Sequence, residues 1–237
     1  IGGSDGRRPD TVEFTDMETD AKRRDLTMNA LYYDISTKEL IDVVGGLEDI
    51  RNGVVRTVGD ADERFKEDRL RVMRAVRFAA RLGHDVDADI DASLRANNSL
   101  QGVSAERIRD EFLKGVDSAK SVVQFLDMLS RYGLLQRIFP NASINRAIEE
   151  RDHAVLLAWL LLGNGPDGAV GVLKAGKYTN DEMKAVKFLI SLKGLSLHNP
   201  VQLKKMEATS GVTSEQIMRF SDLAQIDKNF IRAFVQF

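Results

Sequence analysis

The chain has 237 residues, of which 43% are hydrophobic and 30% are charged, with a net charge of −2 and no cysteine. This composition can fill a substantial core, and it excludes intrinsic disorder, a disulfide scaffold and a thiolate metal site. Because the net charge is slightly negative, contact with nucleic acid needs a local concentration of Arg and Lys. The longest apolar run, residues 154–162, is too short for a membrane span, so we predict a buried helix there and no membrane partner. The absence of cysteine is compatible with a reducing cytosol, and the cytoplasm is the default prediction.

Strand patterns are confined to the first quarter of the chain. The segments TVEF at 11–14 and ELIDVV at 39–44 alternate or run β-branched, which predicts strands. Between them, Asp20 to Tyr33 is predicted to be a helix. The Gly pair at 45 and 46, followed by LEDI and NGVVRTVG, predicts a turn, a short helical turn and a last strand. The predicted fold class is therefore mostly α with a small α+β N-terminal portion.

Helical patterns dominate after Gly59. A helix from Phe65 to Leu82 is predicted to end at Gly83, and Ser104 is predicted to be the N-cap of a later helix. Apolar residues at spacings of three and four predict helices over 122–132, 153–162, 181–193 and 214–224. The acidic stretch DVDADID at 85–91 is predicted to be a polar loop that opens the next helix. No histidine has ligand spacing to another, so surface or packing roles are expected for His84, His153 and His198.

The first segment with nucleotide-binding chemistry is KRRDLTMNALYYD at 22–34. It holds Arg23, Arg24, Asp25 and Asn29, and on a helix Asp25 and Asn29 would share one face. Two guanidinium groups beside a carboxylate can hold a triphosphate and accept a hydrogen bond from a ribose hydroxyl. A solvated helix start is the plain alternative. The aromatic residues of this and the next segment are expected to be buried in helices rather than stacked on bases: Tyr32, Tyr33 and Phe78.

The second segment is RFKEDRLRVMRAVRFAAR at 64–81, which has a strong local excess of Arg. Asp68, Arg71, Arg74 and Arg77 recur every three residues along one side of the predicted helix. The opposite side is apolar, with Leu70, Met73, Val76 and Ala80. A carboxylate and a guanidinium one turn apart can match the edge of one base, and further Arg side chains can hold phosphates. An ordinary Arg-rich surface helix is the alternative.

Four ordered blocks together resemble one known family. RRDLTMNALYYD, DVVGGLEDIRNGVVRTVG, RFKEDRLRVMRAVRFAARLG and SAERIRDEFLKGV are similar to successive motifs of class II tRNA nucleotidyltransferases (CCA-adding enzymes) and bacterial poly(A) polymerases. The similarity covers about residues 5–140. It implies the C-terminal part of a nucleotidyltransferase head at 1–58 and a helical neck with a base-selecting helix at 59–116. A helical body at 117–199 and the start of a tail at 200–237 follow.

The resemblance also implies roles for single residues. Positions expected to bind the nucleotide are Arg23, Arg24, Asp25, Asn29, Asp68, Arg71, Arg74 and Arg77. Within this set, Asp68 and Arg71 fall on the pair that reads the incoming base, and Arg74 and Arg77 on phosphate-side positions. Structural support is expected from Glu67, Arg107 and Glu111. One departure is Arg69, where the family usually has Pro, which leaves the start of the base-selecting helix in question.

The implied reaction is template-independent addition of CMP and AMP to tRNA 3′ ends, in which the 3′ hydroxyl attacks the α-phosphate of CTP or ATP. Such phosphoryl transfer uses Mg²⁺ held by carboxylates. The family's Gly-rich loop and Asp-x-Asp motif are expected upstream of Ile1, so we predict no catalytic and no metal-binding residue within these 237. A missing head segment or a second chain would supply them. Predicted partners are the tRNA 3′ end, CTP and ATP.

Contacts to RNA in the helical region are expected to be mainly to phosphates and therefore salt-sensitive. Candidate side chains are Lys174, Lys177, Lys184, Lys187, Lys204 and Lys205. Two alternatives remain open from the sequence. One is a poly(A) polymerase that adds only AMP to RNA 3′ ends. The other is a non-catalytic RNA-binding or nucleotide-binding module that works with a separate head.

Overall fold

The structure, a computed structural model, describes residues 16–142, 144, 148–195 and 200–236. The strand predicted over 11–14 and His198 lie outside these ranges. The helices of the described residues are α1 (Met17–Arg23), α2 (Gly46–Asn52), α3 (Ala61–Glu67), α4 (Leu70–Leu82), α5 (Ala88–Ala96), α6 (Ala105–Ser118), α7 (Val122–Arg131), α8 (Leu134–Ile138), α9 (His153–Leu160), α10 (Gly165–Ala175), α11 (Asn180–Leu195), α12 (Pro200–Ser210), α13 (Ser214–Ala224) and α14 (Lys228–Gln236). The strands are β1 (Leu31–Asp34), β2 (Glu39–Asp42), β3 (Val54–Val55) and β4 (Asp85–Val86), and short 3₁₀ turns lie at Thr27–Asn29 and Leu162–Asn164. The mostly helical fold class is confirmed.

The helix predicted over 20–33 is wrong. Only α1 is helical there, and the chain then forms the 3₁₀ turn and strand β1, which pairs antiparallel with β2 so that Tyr33 lies opposite Leu40. The hairpin turn is held by Asp34, whose Oδ1 accepts the backbone N–H of Ser36 at 2.8 Å. Pairing with a second strand thus outweighs the local helical pattern. As a result, Tyr33 is 60% exposed rather than buried in a helix.

The single helix predicted from Phe65 to Leu82 is also wrong, because α3 and α4 meet at a break at Asp68. Asp68 has an extended backbone (φ −145°), and its Oδ1 accepts the N–H of Leu70 at 3.0 Å. An aspartate that caps the following turn in this way competes with continuation of a helix. Arg69 has φ −60°, a value that Pro also adopts, so Arg at this position keeps the helix start that Pro favours.

Most predicted helix ends are confirmed. Gly83 ends α4 with φ +66°, and the Ser104 side chain accepts the N–H of Arg107 at the start of α6. Asp87 caps α5 by accepting the N–H of Ile90, so the acidic stretch at 85–91 opens a helix, but Asp85 and Val86 form strand β4 instead of the predicted polar loop. The helices predicted over 122–132, 153–162, 181–193 and 214–224 correspond to α7, α9, α11 and α13.

One continuous apolar core runs from Leu26 in the first quarter to Phe234 in α14. Helix α4 packs against α6 and α7, and α11 packs against α9, α10 and α12. Helix α9 is apolar all round, and Val155 to Leu161 are buried, as predicted. Among the described residues no single helix is long and apolar enough to cross a membrane. Helix α9 and residues 162–175 reach that length and apolarity only together, and they are bent by 54° where they meet. Strand β3 pairs in parallel with β4, which joins the first quarter of the chain directly to the helical part.

Candidate nucleotide-binding site

Backbone pairing fixes the position of the first predicted segment. The N–H of Val58 donates to the carbonyl of Asp25 at 3.2 Å, and the N–H of Thr27 donates to the carbonyl of Arg56 at 3.0 Å. These bonds place Asp25 beside the end of β3, from which the chain continues into α3 and α4. Sequence reasoning missed this pairing, since a helix was predicted where the pairing occurs.

Asp25 joins the first segment to α4. Its Oδ2 accepts Nε of Arg74 at 2.6 Å, and its Oδ1 accepts Nδ2 of Asn29 at 3.1 Å and the N–H of Leu26 at 2.8 Å. Burial alone raises the pKa of this carboxyl, but the bond from Asn29 and the charge and bond of Arg74 outweigh it and leave the pKa lowered. Asp25 and Asn29 therefore meet as predicted, through the 3₁₀ turn instead of a helix face.

The two arginines of the first segment have different surroundings. The guanidinium of Arg24 donates to Asp20 at 3.0 and 3.1 Å and to the carbonyl of Asn29 at 3.0 Å, and it lies 5.2 Å from the ring centre of Tyr32. The side chain of Arg23 is exposed, while its backbone carbonyl accepts Nη2 of Arg71 at 3.2 Å. The end of α1 thus lies against the junction of α3 and α4.

Arg71 is held by a network at the junction of α3 and α4. Its Nη1 contacts Glu67 Oε2 at 2.5 Å and the carbonyl of Arg64 at 3.2 Å. The other carboxylate oxygen of Glu67 pairs with Arg64 at 2.5 Å, and Nη1 of Arg64 donates to the carbonyl of Lys22 at 3.0 Å. Glu67 consequently contacts two guanidinium groups, and its supporting role stays a prediction.

Asp68 lies at the break between the two helices and is fixed from two directions. Oδ1 accepts the N–H of Leu70, and Oδ2 accepts Nη2 of Arg107 at 2.7 Å. The side chains of Asp68 and Arg107 are 32% and 39% exposed. A carboxylate offers about four lone-pair sites, so Asp68 retains the capacity to accept a further hydrogen bond from a ligand.

Arg74 and Arg77 do not share one environment. Arg74 is half-buried against Asp25, with its guanidinium 5.5 Å from the ring centre of Phe78. Arg77 is buried, donates through Nε to Oε1 of Glu111 on α6, and stacks 4.3 Å from the same ring. Glu111 itself is buried. The Arg77 guanidinium is therefore engaged within the protein between α4 and α6, so a phosphate contact for it remains only a prediction.

A second polar network was missed by sequence reasoning. Buried Asp49 accepts the hydroxyl of Thr27 at 2.7 Å and Nε of Arg56 at 3.1 Å, and Arg56 also contacts Asp87 at 2.8 Å. Gly46 is confined next to this network, because a Cβ there would lie 2.3 Å from the carbonyl oxygen of Thr27. The network supports the backbone around Asp25. The signal in the sequence was the motif block that contains Asp49 and Arg56.

The described residues contain no cluster of metal-ligating side chains. Across 16–142, 144, 148–195 and 200–236, no group of three or more His, Asp or Glu side chains is arranged to hold a metal ion. In phosphoryl transfer Mg²⁺ is usually held by one or two carboxylates together with the substrate phosphates. What this part of the chain does bring together is the Asp25 carboxylate with the Arg74 guanidinium, and the Arg71 guanidinium with the end of α1.

Comparisons with known proteins find two family models and several relatives. A family model described as "Poly A polymerase head domain" matches residues 2–56, and one described as "Probable RNA and SrmB- binding site of polymerase A" matches residues 86–144. The CCA-adding enzyme of Latilactobacillus sakei is 38% identical over 198 residues, which cover 78% of this chain and 50% of that protein. The CCA-adding enzyme of Enterococcus faecalis is 32% identical over 247 residues, covering 97% of this chain and 61% of that protein.

Solved structures show the same fold. The crystal structure of the Bacillus stearothermophilus CCA-adding enzyme in complex with CTP matches with a TM-score of 0.67 and 26% identity, over 94% of this chain and 58% of that chain. The Thermotoga maritima CCA-adding enzyme complexed with tRNA matches with a TM-score of 0.65 at 18% identity, which bears on the fold alone. The chain spans about half the length of the curated relatives it matches.

A polymerase-A head followed by a helical RNA-binding region defines the class of this protein. Within that class, the chain is similar over most of its length to CCA-adding enzymes, which the predicted family of class II tRNA nucleotidyltransferases and bacterial poly(A) polymerases includes. The predicted family resemblance is confirmed.

Proposed function

We propose that this chain is the nucleotide-selecting and RNA-holding part of a CCA-adding enzyme, which extends tRNA 3′ ends with CMP and AMP from CTP and ATP. The observation that carries the proposal is the junction of α3 and α4, where the Arg71 guanidinium contacts the end of α1 and Asp68 is held at the helix break by Leu70 and Arg107. The relatives described above, which are named as CCA-adding enzymes, support this activity over a poly(A) polymerase. The nucleotide is proposed to lie between Arg23 and Arg24 on one side and Asp68 with Arg71 on the other.

The chemistry of these two side chains favours cytosine and adenine. Each of these bases carries an exocyclic amino group, a donor, beside a ring nitrogen that accepts. A carboxylate is an acceptor and a guanidinium is a donor, so Asp68 can accept from the amino group while Arg71 donates to the ring nitrogen. Uracil and guanine present a carbonyl oxygen and a ring N–H at these places, which would set acceptor against acceptor and donor against donor. The pair can therefore select a base without a nucleic-acid template.

Orientation of the selecting pair is proposed to come from its protein contacts. Glu67 positions the guanidinium of Arg71, and Arg107 positions the carboxylate of Asp68. Arg77 with Glu111 holds α4 against α6, and Asp25 with Arg74 and Asn29 holds the first segment against α4. A preorganised donor and acceptor lose less entropy on binding than mobile ones do, which sharpens discrimination between bases.

The Mg²⁺ expected in the intact enzyme is proposed to be held by carboxylates outside the described residues. When bound, such an ion neutralises charge on the phosphates and the leaving pyrophosphate.

The domain boundaries at 58, 116 and 199 and a cytoplasmic location stay predictions. Two of the lysines proposed to contact RNA phosphates, Lys184 and Lys187, are in exposed ion pairs, which are weak and leave them able to exchange partners. Lys204 is half-buried: it pairs with Glu207 and lies 4.3 Å from the ring centre of Phe234.

The test is Asp68→Ala in the full-length protein that contains this chain, with a tRNA transcript lacking its 3′ CCA and each labelled nucleoside triphosphate in turn. We expect discrimination of CTP and ATP against UTP and GTP to fall, with a smaller change in the KM for CTP. Asp127→Ala, at an exposed aspartate of α7, is the matched control. Unchanged incorporation of all four nucleotides by the Asp68 variant would contradict the assignment.

The unaltered protein in the same assay separates the remaining alternatives. Addition of one C-C-A sequence supports the proposal. An A-only tail on many RNAs indicates a poly(A) polymerase, and binding of RNA without incorporation indicates a non-catalytic module.

A further inference from the structure

A cavity of about 500 Å³ lies between α6, the end of α8 and α10. Its lining includes Ile108 and Arg109 of α6, Arg137 of α8, Gly171 of α10 and Tyr178. None of the residues around Asp25 or Asp68 lines it, so it is separate from the site above. Cavities of roughly 300–1,000 Å³ that are mainly apolar with a few polar groups are typical of ligand sites.

Small residues of α10 leave the cavity open. Gly168, Gly171 and Ala175 all line it, and a Cβ placed on Gly171 would meet no atom within 4 Å. Glycine inside a helix is unfavourable by roughly 1 kcal/mol relative to alanine, so packing within the protein gives no reason for Gly171. The surface that these residues form can accept a flat group such as a nucleobase.

A buried donor in the lining has no partner. The hydroxyl of Tyr178 makes no hydrogen bond within the described part of the chain, although the residue is only 6% exposed. Burial raises the pKa of this hydroxyl far above its ordinary value, so the group stays protonated and able to donate. Buried polar groups are normally paired, but this hydroxyl oxygen is closed off from solvent, so Tyr178 presents the carbon atoms of its side chain to the cavity.

Positive charge accompanies the apolar lining. Nε of Arg137 donates to Oδ1 of Asn98 at 2.8 Å, and no ion pair of Arg137 with a carboxylate is found among the described residues. Arg109 pairs with Asp110 at 2.7 Å. A guanidinium without a carboxylate partner beside an apolar cavity is complementary to a base that carries a phosphate. The α6 and α8 parts of the lining also fall within residues 86–144, which match the RNA-binding family model.

We propose that this cavity receives one unstacked nucleotide of the RNA substrate, with the base against Gly171 and Tyr178 and the phosphate at Arg137. The proposal rests on the proposed function, which requires the chain to hold RNA. The other RNA contacts expected of this chain are to phosphates and to the shape of the RNA. The cavity would add a site for a single nucleotide. Unstacked bases are the parts of RNA that proteins read through stacking and hydrogen bonds.

The experiment measures the Kd of the chain for a fluorescently labelled tRNA transcript without its 3′ CCA, by anisotropy at one fixed salt concentration. Gly171→Leu fills the cavity and should weaken binding by about tenfold or more. Gly171→Ala adds one methyl group and should stay within about twofold of the unaltered chain. Both substitutions raise helix propensity, so folding is preserved, and circular dichroism confirms it.

A second pair of variants tests the charge of Arg137. Arg137→Gln should weaken binding more than Arg131→Gln, which removes the same charge from an exposed position outside the cavity. In addition, RNA containing 4-thiouridine should crosslink to peptides from 105–109, 137–140 or 168–178 on irradiation. Crosslinks confined to other peptides, or equal Kd values for Gly171→Leu and Gly171→Ala, would overturn the cavity proposal and leave the proposed function standing. An unaltered chain that binds no RNA would overturn both.

Discussion

Removal of the Glu111 carboxylate is expected to destabilise the packing of α4 on α6, because Arg77 would be left buried without a partner. The side chains of Arg77 and Glu111 are 9% and 3% exposed, and they contact each other directly. Breaking a buried ion pair from one side costs about 3–5 kcal/mol. Since 1 kcal/mol shifts the Tm by about 2–4 °C in a chain of this size, Glu111→Leu should lower the Tm by roughly 6–20 °C.

Thermal and urea unfolding followed by circular dichroism at pH 7 measure this loss. The control is Asp181→Asn, which removes one partner of the exposed pair with Lys184 and should cost less than about 1 kcal/mol. The double variant Arg77→Met, Glu111→Leu removes both charges and should recover most of the lost stability. A loss below about 1 kcal/mol in Glu111→Leu, or a double variant as unstable as the single one, would refute the reasoning.

The same double variant also decides what Arg77 does. If Arg77 only braces α4, the double variant should bind CTP as tightly as the unaltered protein once its Tm is restored. If Arg77 contacts a phosphate, affinity for CTP should fall even though the fold is stable. Equilibrium binding of CTP at constant ionic strength separates the two results.

Three further predictions concern the same region. Asp25 has a lowered pKa in the folded protein, so its contribution to stability is present above the unfolded value of about 3.9 and is lost as the pH falls through the folded pKa. The stability difference between the unaltered protein and Asp25→Asn in urea titrations should therefore shrink below about pH 4. Gly46→Ala should cost roughly 2 kcal/mol or more in urea unfolding, because the new Cβ would overlap the Thr27 carbonyl. Arg107→Gln should raise incorporation of UTP and GTP relative to CTP by about tenfold in the full-length protein, since the Asp68 carboxylate loses its fixed orientation.

The helical part of the fold was predictable because its signals are local. Apolar spacing and cap residues such as Ser104 and Gly83 gave helix positions close to those observed. Around Tyr33 the same approach failed, because β1 depends on pairing with β2, which a helical pattern does not reveal. The residues LYY and the Asp34 turn were the available signals for a strand and its end.

The candidate site was predictable as a set of residues but not as a set of contacts. Motif blocks identified Asp25, Arg74, Arg77 and Glu111, yet nothing local in the sequence pairs Asp25 with Arg74 or Arg77 with Glu111. These pairs join residues 49 and 34 positions apart, and only packing of the elements determines which charges are buried. Because Arg71 and Arg77 are separated by a multiple of three residues, the sequence placed them on one side of a single predicted helix. Their environments in the structure differ.

The break at Asp68 ties two properties of the protein to one carboxylate. One of its oxygens caps α4, and the same side chain is proposed to read the base. A change of this residue would alter helix stability, at about 1 kcal/mol for a lost cap, together with nucleotide choice. Efforts to evolve a different base preference would thus begin at Arg71, because a substitution there leaves the cap intact. A substitution of Asp68 would need a residue that also caps a helix, such as Asn or Ser.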